Sequence, residues 1–593
     1  MIRGLHLGNF KAFAETQQVP LRPITLIYGP NSAGKSSIIH SLALAHHAIL
    51  TGDLDTQRTE IGGESIDLGG FRQYVHRRDA SRRVEWAIEL DTTQLAGRLG
   101  ELLAPVRTVQ LAMTIGMGEV DETQPTFFGD FARVRGPRVG VETCVLLADD
   151  KPLVAMSARR GGMLRIDRIE QEHPVLREIL KAVVLSTTTT QEVRDEDFAG
   201  IDQAVDAVVP ELVARLGRFL PRMDAQVSAA EEGMQTLLFP VGKGDRRDSL
   251  AQAVRMFLPR SLRELVNGVS DAVRAEIGRL RYLGPLRSYP PRHLAFASHH
   301  DPNWNAGGGS SWDVLRRDAD VRSAVNQWLS STERLSTPYE VIVRELLAFD
   351  QLDAPLREAL DRLNGVDDGD LEHGGGSGSG AGYSDGRGGG SGGGSGSGAG
   401  YGSGDGSGYG DGRRPPVVED VDEEVKRFKA TLQKADIDRF TELVLMDRRR
   451  STVVSHRDVG IGVSQVLPVL VNAYGLKEQL IAIEQPEIHL HPALQAELGD
   501  VFIESALGER RNTLLLETHS EHVLLRVMRR MRETAEQRLP DGCRPVRPDQ
   551  VMVLFVEPDG ARSIIREMPL NERGELVKAW PGGFFEEGLR EVF

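Results

Sequence analysis

The chain has 593 residues, a formal net charge of −15 and a sequence pI of about 5.6. The length suits about two to four domains, and the acidic total excludes a global basic field that would attract nucleic acid. Two distant cysteines, Cys144 and Cys543, exclude a disulfide framework and a C-x-x-C zinc site. Without a secretory signal pattern or an apolar run that could span a bilayer, we expect a soluble, cytoplasmic protein with no membrane domain.

The N-terminal residues predict a β-rich lobe. Residues 1–13 alternate in the manner of a half-buried strand, and strand-like runs follow at 84–90 and 106–113. After the first strand, residues 24–28 form an apolar run that ends at a glycine and is followed by a loop of small residues. Apolar residues at helical spacing follow from residue 38. The order strand, loop, helix is therefore present early in the chain.

This context is the one that the phosphate-loop pattern G-x-x-x-x-G-K-[ST] requires. Its glycines let backbone N–H groups and a helix N-terminus face phosphate oxygens. Lys35 would reach the β- and γ-phosphates and Ser36 would ligate Mg²⁺. A strand-to-helix turn that merely carries a lysine is the alternative, and the flanking pattern disfavours it. The sequence predicts that a nucleoside triphosphate is bound by Gly29, Pro30, Asn31, Ser32, Ala33, Gly34, Lys35, Ser36 and Ser37.

The middle of the chain has helical periodicity from about residue 174. Helical runs are predicted at 251–257 and 262–281, a Pro- and Gly-rich break at 283–292, and another helix at 313–329. Residues 365–416 are nearly all Gly, Ser, Ala, Asp and Tyr, which predicts a flexible coil. A helical pattern resumes at 421–435.

Three further patterns follow the coil. Residues 480–487 form an apolar strand that ends in acids, the context of a Walker B segment in which Glu484 would hold Mg²⁺. Residues 513–520 form a second buried strand, after which His519 could hydrogen-bond a γ-phosphate. Residues 458–468 place Gly-x-Gly-x-Ser-Gln before an apolar helix, either to present N–H groups to a phosphate or as a plain helix cap.

With these motifs in this order, the chain resembles the ABC-type ATPases of the SMC, Rad50, RecF and OLD-like group. More narrowly it is similar to bacterial AAA-labelled ATPases of phage-defence type with a C-terminal domain of unknown function. The resemblance implies an α/β fold, an ABC-ATPase head with a P-loop RecA-like core and an N-terminal β-lobe, plus a helical middle domain interrupted by the Gly/Ser linker. It is carried by Tyr28–Ser37, Leu283–Arg287, Val459–Pro468, Ile483–Pro492, Glu517–Ser520 and Trp580–Glu587.

The resemblance also implies ATP and Mg²⁺ as ligands and a head-to-head homodimer that forms on ATP. In that dimer the signature residues Gly462, Ser464 and Gln465 of one chain would complete the site built on Lys35 of the other. Glu484 would be the Walker B carboxylate, residues 488–492 the D-loop and His519 the switch histidine. Gln73 is a candidate Q-loop ligand of Mg²⁺, with a surface glutamine as the alternative.

One departure from the family pattern concerns the catalytic base. Most ABC ATPases end the Walker B strand in Asp-Glu, whereas this chain has Glu484-Gln485. An amide can orient water but cannot accept its proton at neutral pH. Either Glu487 supplies the carboxylate or the protein holds ATP and hydrolyses it slowly. The candidate catalytic residues are Glu484, Gln485, Glu487 and His519.

The sequence leaves the target of the ATPase open between two classes. One is a sensor or scaffold that controls a separate effector protein, because no nuclease constellation is found. The other is a RecF-like repair or recombination ATPase stimulated by DNA, for which basic clusters at 77–78, 82–83, 448–450 and 526–532 are the evidence, with a solvated face as the alternative for each. A structural dimer that binds nucleotide and barely turns it over is a third option. The predicted domains are 1–165, 166–364, 365–416, 417–450 and 451–593.

Overall fold

The computed structural model describes residues 2–125, 131–159, 162–185, 195–224, 246–287, 303–331, 334–347, 426, 429–430, 439–454 and 459–583. Contacts group Met1–Val343 with Leu443–Phe593 as one unit and Arg344–Glu442 as another. Within the second unit, Arg344 Nε donates to Glu442 Oε2 at 2.7 Å. The predicted coil at 365–416, and the helix at 421–435 apart from residues 426, 429 and 430, lie outside the described residues.

The strands are β1 (Ile2–Gly8), β2 (Gln17–Pro20), β3 (Ile24–Tyr28), β4 (Val84–Asp91), β5 (Thr108–Pro125), β6 (Phe131–Ala148), β7 (Lys151–Ala158), β8 (Met163–Ile169), β9 (Val213–Gly217), β10 (Leu220–Arg222), β11 (Leu280–Leu283), β12 (Tyr339–Leu347), β13 (Arg439–Asp447), β14 (Thr452–Val454), β15 (Leu480–Glu484), β16 (Thr513–Glu517), β17 (Val551–Asp559) and β18 (Arg562–Glu567). The α-helices are α1 (Lys35–Thr51), α2 (Phe71–Tyr74), α3 (Gly97–Leu102), α4 (Pro174–Leu185), α5 (Asp195–Val208), α6 (Arg246–Gly278), α7 (Ser310–Arg317), α8 (Ala319–Ser330), α9 (Ile461–Gly475), α10 (Pro492–Leu507) and α11 (Glu521–Ala535).

A nine-stranded antiparallel sheet forms the β-rich lobe that the N-terminal pattern predicts. Its strand order is β10-β9-β8-β7-β6-β5-β4-β1-β2. Strand β4 shows how the sequence specifies its inner face, because Val84, Trp86 and Ile88 are buried while Glu85 between them is exposed. Strands β8 to β10 extend this sheet past residue 165, and helices α4 and α6 contribute to the same core.

A second sheet of six strands carries the motifs, in the order β11-β15-β16-β3-β17-β18. The first five strands are parallel and β18 is antiparallel to β17. Strands β3 and β15 are buried along their whole length, as parallel strands covered on both faces require. Because parallel strands end at one edge of the sheet, the segments that follow Tyr28, Glu484 and Glu517 lie side by side.

The structure corrects the predicted helices of the middle region. The helix predicted to run to residue 281 ends at Gly278, and Leu280–Leu283 form β11, because their backbone pairs in parallel with β15. The helix predicted at 313–329 is divided into α7 and α8. Asp318 causes the division, since its Oδ1 accepts hydrogen bonds from Asp320 N and Val321 N, both at 3.0 Å, as the N-cap of α8.

Ion pairs engage three of the four arginines in the predicted basic cluster at 526–532. Arg530 Nε donates to Asp500 Oδ1 at 2.7 Å, and Arg530 Nη2 donates to Asp500 Oδ2 at 2.8 Å. Arg526 also contacts Asp500 and Glu497, whereas Arg529 pairs with Glu533 within α11. Arg526 and Arg530 therefore join α11 to α10 and are not presented as a free basic surface.

We predict that Asp500→Ala lowers the free energy of unfolding by about 3 kcal/mol, because it leaves two mostly buried guanidinium groups without their shared acceptor. The matched control is Glu64→Ala, whose partner Arg58 is exposed, and its effect should stay below about 1 kcal/mol. Urea unfolding followed by circular dichroism measures both. Equal effects of the two substitutions would contradict a structural role for Asp500.

Candidate nucleotide site

Two glycines shape the phosphate loop between β3 and α1. Gly29 has a φ of 143°, and a Cβ there would lie 2.1 Å from Val556 O in β17. Gly34 has a φ of 94°, and a Cβ there would lie 2.4 Å from Ala12 Cβ. Only glycine fits at both positions. The loop therefore packs closely against Val556 and Ala12, and α1 begins at Lys35, the residue that follows Gly34.

The side chain of Lys35 is buried and bonded within the loop. Its Nζ donates to Gly29 O at 3.1 Å and to Pro30 O at 3.0 Å, and lies 3.9 Å from Glu517 Oε1. Burial lowers the pKa of Lys35, and the charges of Glu517, Glu487 and Glu484 oppose that shift. The structure thus brings the predicted phosphate-binding lysine into a pocket of carboxylates.

The predicted Walker B residue Glu484 is held by two side chains that the sequence did not identify. Tyr282 OH donates to Glu484 Oε1 at 3.0 Å, and His40 Nε2 lies 3.5 Å from the same oxygen. His40 Nδ1 in turn lies 2.5 Å from Lys11 Nζ. Burial lowers the pKa of His40, and a neutral imidazole can accept from Lys11 and present Nε2–H to Glu484. Burial also lowers the pKa of Lys11, to about 8.

A second carboxylate that sequence reasoning missed, Glu517, lies beside Glu484. The two residues are direct partners in the parallel pairing of β15 and β16. Glu517 Oε2 is buried and has no hydrogen-bond partner among the described residues. Burial raises the pKa of Glu517 to about 7, the charge of Glu484 adds to this, and Ser36 and Lys35 act in the opposite direction. The available signal was that Glu517, like Glu484, ends a buried apolar strand.

Glu487 and His519 are joined by a hydrogen bond from His519 N to Glu487 Oε1, at 2.7 Å. Glu487 Oε2 is buried without a hydrogen-bond partner in the described part of the chain, and burial raises the pKa of Glu487. Burial and the charge of Lys35 lower the pKa of His519, which favours a neutral imidazole. Gln485 has a φ of 47°, and its N–H donates to Glu517 O at 2.7 Å.

The predicted signature residues lie at the start of α9, and most of their surface is covered. A Cβ on Gly462 would lie 2.8 Å from His489 O, so the signature turn touches the predicted D-loop of its own chain. Ser464 is only 2% exposed and Gln465 only 5%. Gly460, the N-cap of α9, is exposed and has open space where a Cβ would point. Ser464 would need a local rearrangement before it could reach a second chain.

Arg287 connects the signature helix to the end of the Walker B strand. Its Nη1 donates to Gln465 O at 2.9 Å, and its Nη2 donates to Gln485 O at 2.9 Å and to Glu484 O at 3.3 Å. Gln465 Nε2 donates back to Arg287 O at 3.3 Å. Burial lowers the pKa of Arg287 to about 10, so the guanidinium stays charged at neutral pH.

The candidate Q-loop residue Gln73 is placed in the wall of an open cleft. This cleft has a volume of about 990 Å³, and Lys11, Asp67 and the exposed Arg77 and Arg78 also line it. Arg77 and Arg78 have φ values of 58° and 56°, a left-handed backbone that non-glycine residues rarely adopt. Gln73 itself is exposed.

ATP and Mg²⁺, which the family resemblance implies, are compatible with these residues. In the described ranges no group of three or more His, Cys, Asp or Glu side chains is arranged to hold a metal ion. Mg²⁺ commonly uses one or two carboxylates together with substrate phosphates and waters. Ser36 and Glu484 provide the protein side of such a site. The unpaired buried oxygens of Glu487 and Glu517 are the observation that fits a cation bound together with a nucleotide.

Comparisons with known proteins give family matches in the N-terminal part and in the C-terminal half of the chain. A family model described as an AAA domain, putative AbiEii toxin, Type IV TA system, matches residues 321–526, and another described as an AAA domain matches residues 4–111. The first range contains the signature, Walker B and switch segments, and the second contains the phosphate loop. A search of curated proteins found no match. No helix in the described residues has the length and apolarity needed to cross a membrane.

Distant likeness to solved structures was also found. An Smc head bound to the C-winged helix domain of ScpA has a TM-score of 0.34 at 10% identity, with 96% of this chain and 98% of that chain covered. A Pyrococcus furiosus Smc head with an extended coiled coil, bound to the C-terminal domain of ScpA, has a TM-score of 0.31 at 10% identity over 100% and 98% of the two chains. The SMC head domain from Thermotoga maritima has a TM-score of 0.29 at 9% identity over 96% and 99%.

We predict that Glu517→Gln removes a pH-dependent loss of stability in the nucleotide-free protein. The pKa of Glu517 is raised from 4.5 to about 7 in the folded protein, so folding favours the protonated carboxyl. The resulting contribution to stability is complete below pH 4.5 and is lost as the pH rises through about 7. The variant should therefore gain thermal stability over the wild type at pH 8 but not at pH 5, as measured by scanning fluorimetry. Glu509→Gln, an exposed control, should behave like the wild type at both pH values. The same difference at pH 5 and pH 8 would contradict this assignment.

Proposed function

We propose that the chain is an ABC-type ATPase of the SMC and Rad50 group that binds ATP with Mg²⁺ and hydrolyses it slowly. The observation that carries this proposal is the convergence of Lys35, Glu484 and Glu517 at one edge of the parallel sheet. A phosphate loop, a Walker B carboxylate and a switch histidine are the parts that nucleotide hydrolysis needs. The AAA-domain matches over residues 4–111 and 321–526 support the same function.

The residues of the site divide the work of binding and hydrolysis. Backbone N–H groups at the start of α1 and the Lys35 ammonium would bind the phosphates, while Ser36 and Glu484 would hold Mg²⁺. The bound Mg²⁺ supplies neutralisation of the negative charge that develops on the phosphates. Tyr282 and His40 fix the orientation of Glu484. His519 would donate a hydrogen bond to the γ-phosphate.

Slow hydrolysis follows from the residue after Glu484. Gln485 can orient the attacking water but cannot accept its proton, so the carboxylate must come from elsewhere. We assign that assistance to Glu487, which is close enough to Lys35 to affect its pKa and is fixed by the hydrogen bond from His519 N. A base held one turn away from the usual position favours prolonged ATP occupancy.

The output of the ATPase would be a change in self-association. We propose that ATP binding rearranges α9, so that Gly462, Ser464 and Gln465 complete the site of a second copy. The resulting homodimer would control a separate effector protein, in a phage-defence or DNA-associated system. Arg287 supports this coupling, because it bonds Glu484 and Gln485 on one side and Gln465 on the other.

The alternative is a RecF-like ATPase stimulated by DNA. Arg526, Arg529 and Arg530 give it little support because they are committed to ion pairs. Arg77 and Arg78 favour it more, since they are exposed beside the cleft in a left-handed conformation that stores strain. DNA binding that falls with salt, together with faster ATP turnover on DNA, would support this alternative.

We predict that Glu487→Gln slows ATP turnover by about 100-fold, the usual contribution of a positioned proton acceptor, and leaves nucleotide affinity nearly unchanged. Lys35→Ala should instead weaken nucleotide binding by about 10- to 100-fold through loss of a charge-assisted hydrogen bond. Phosphate release and fluorescent-nucleotide titration measure the two effects. If Glu487→Gln kept wild-type turnover while Lys35→Ala abolished it, Glu487 would not be the assisting carboxylate.

We predict that Gly460→Arg blocks ATP-dependent dimerisation without preventing ATP binding. Gly460 is exposed at the start of α9, so an arginine there would obstruct a docking chain but not the core of its own. Ser464→Arg should also block the dimer, although its buried position requires a parallel measurement of thermal stability. Light scattering after gel filtration, with and without ATP, gives the oligomeric state. A wild type that stays monomeric with ATP would contradict the proposed dimer.

A further inference from the structure

The proposed function leaves one buried carboxylate of the site, Glu517, without a role. It is not part of the usual set of phosphate-loop, Walker B, signature and switch residues. Its side chain is 6% exposed, and Oε1 lies 3.9 Å from Lys35 Nζ. Oε2 has no hydrogen-bond partner among the described residues, and the hydroxyl of Ser36 acts on the same carboxylate. A buried carboxylate oxygen without a partner is costly, and such an atom in a native site calls for a ligand.

The surroundings of Glu517 identify the charge of that ligand. Glu484 is its direct neighbour across the parallel pairing, and Glu487 is near enough to act on the same lysine. Glu517, Glu484 and Glu487 are all buried and all act on Lys35, which is itself bonded to two loop carbonyls. Glu517 thus shares its lysine with two other carboxylates and with the loop, and its second oxygen favours a further cation. An anionic triphosphate without a cation would be repelled by these carboxylates.

We infer that Glu517 is a third protein residue that holds the Mg²⁺ of Mg·ATP, together with Ser36 and Glu484. The inference rests on the proposed function, because the cation arrives with the nucleotide. It follows from the register of β15 and β16, which sets the two carboxylates side by side at the edge where the phosphate loop also ends. A role as counter-ion of Lys35 alone would leave Oε2 without a function.

The test compares ATP affinity with and without Mg²⁺ in the full-length wild type and in Glu517→Gln. In the wild type, affinity in excess Mg²⁺ should exceed affinity in EDTA. In Glu517→Gln, the ratio of ATP affinity in Mg²⁺ to ATP affinity in EDTA should fall by about 10-fold, the lower end of what loss of a supporting residue costs in metal affinity. Affinity in EDTA should be equal or higher, because a negative charge near the phosphates is gone. Glu509→Gln, in the exposed turn that precedes β16, should keep the full gain in ATP affinity from Mg²⁺.

A second readout does not depend on turnover. With Mn²⁺ in place of Mg²⁺ and ATP present, electron paramagnetic resonance should report weaker Mn²⁺ binding in Glu517→Gln than in the wild type. Glu517→Asp, which keeps the carboxylate, should restore part of the Mn²⁺ affinity. Restoration by the aspartate separates a ligand from a residue that only supports folding.

Three results would overturn the inference in distinguishable ways. An unchanged gain from Mg²⁺ in Glu517→Gln would refute the role of Glu517 and leave the proposed function intact. A fall in ATP affinity that is equal in Mg²⁺ and in EDTA would show Glu517 to be a counter-ion of Lys35 only. A wild type that binds no ATP under either condition would refute the proposed function itself.

Discussion

The parallel pairing of β15, β16 and β3 is the constraint on which the rest of the site depends. It fixes Glu484 opposite Glu517 and Glu517 opposite Ile27, two residues before Gly29. Three buried carboxylates then act on the same lysine, Lys35, which folding alone does not reward. The strand pairing that stabilises the sheet therefore also places buried negative charge where a bound nucleotide and its metal would neutralise it. The electrostatic cost of burying these carboxylates and their proposed role in binding both follow from that pairing.

Arg287 extends this constraint to the signature helix. Its guanidinium bonds three backbone carbonyls, two at the end of β15 and one in α9, so a change at either place is felt at the other. Carbonyl acceptors make the link insensitive to which side chains stand at residues 465, 484 and 485. Coupling of this kind needs an element with two arrangements, and we propose the start of α9 for this role because Ser464 and Gln465 are buried there.

The sequence allowed the phosphate loop, the Walker B strand and the β-rich lobe to be predicted, because each has a local signal of apolar periodicity and glycine placement. The partners of Glu484 were not predictable in the same way. Tyr282 directly follows the helix predicted at 262–281 and is in fact in β11, because pairing with β15 overrides the local helical pattern from residue 280. Glu517 lies two residues before the candidate His519 in the sequence, but only the strand order shows that it is the neighbour of Glu484. In the basic run at 526–532, the charges of Arg526, Arg529 and Arg530 are matched by Asp500, Glu497 and Glu533, a pairing that the sequence did not reveal.

The contacts of Lys35 bear on how much this residue adds to nucleotide affinity. Its ammonium bonds Gly29 O and Pro30 O, two carbonyls of its own loop. A phosphate that binds the ammonium therefore competes with these two acceptors. Lys35 would then contribute to nucleotide affinity only the difference between its bonds to the phosphates and its bonds to the loop.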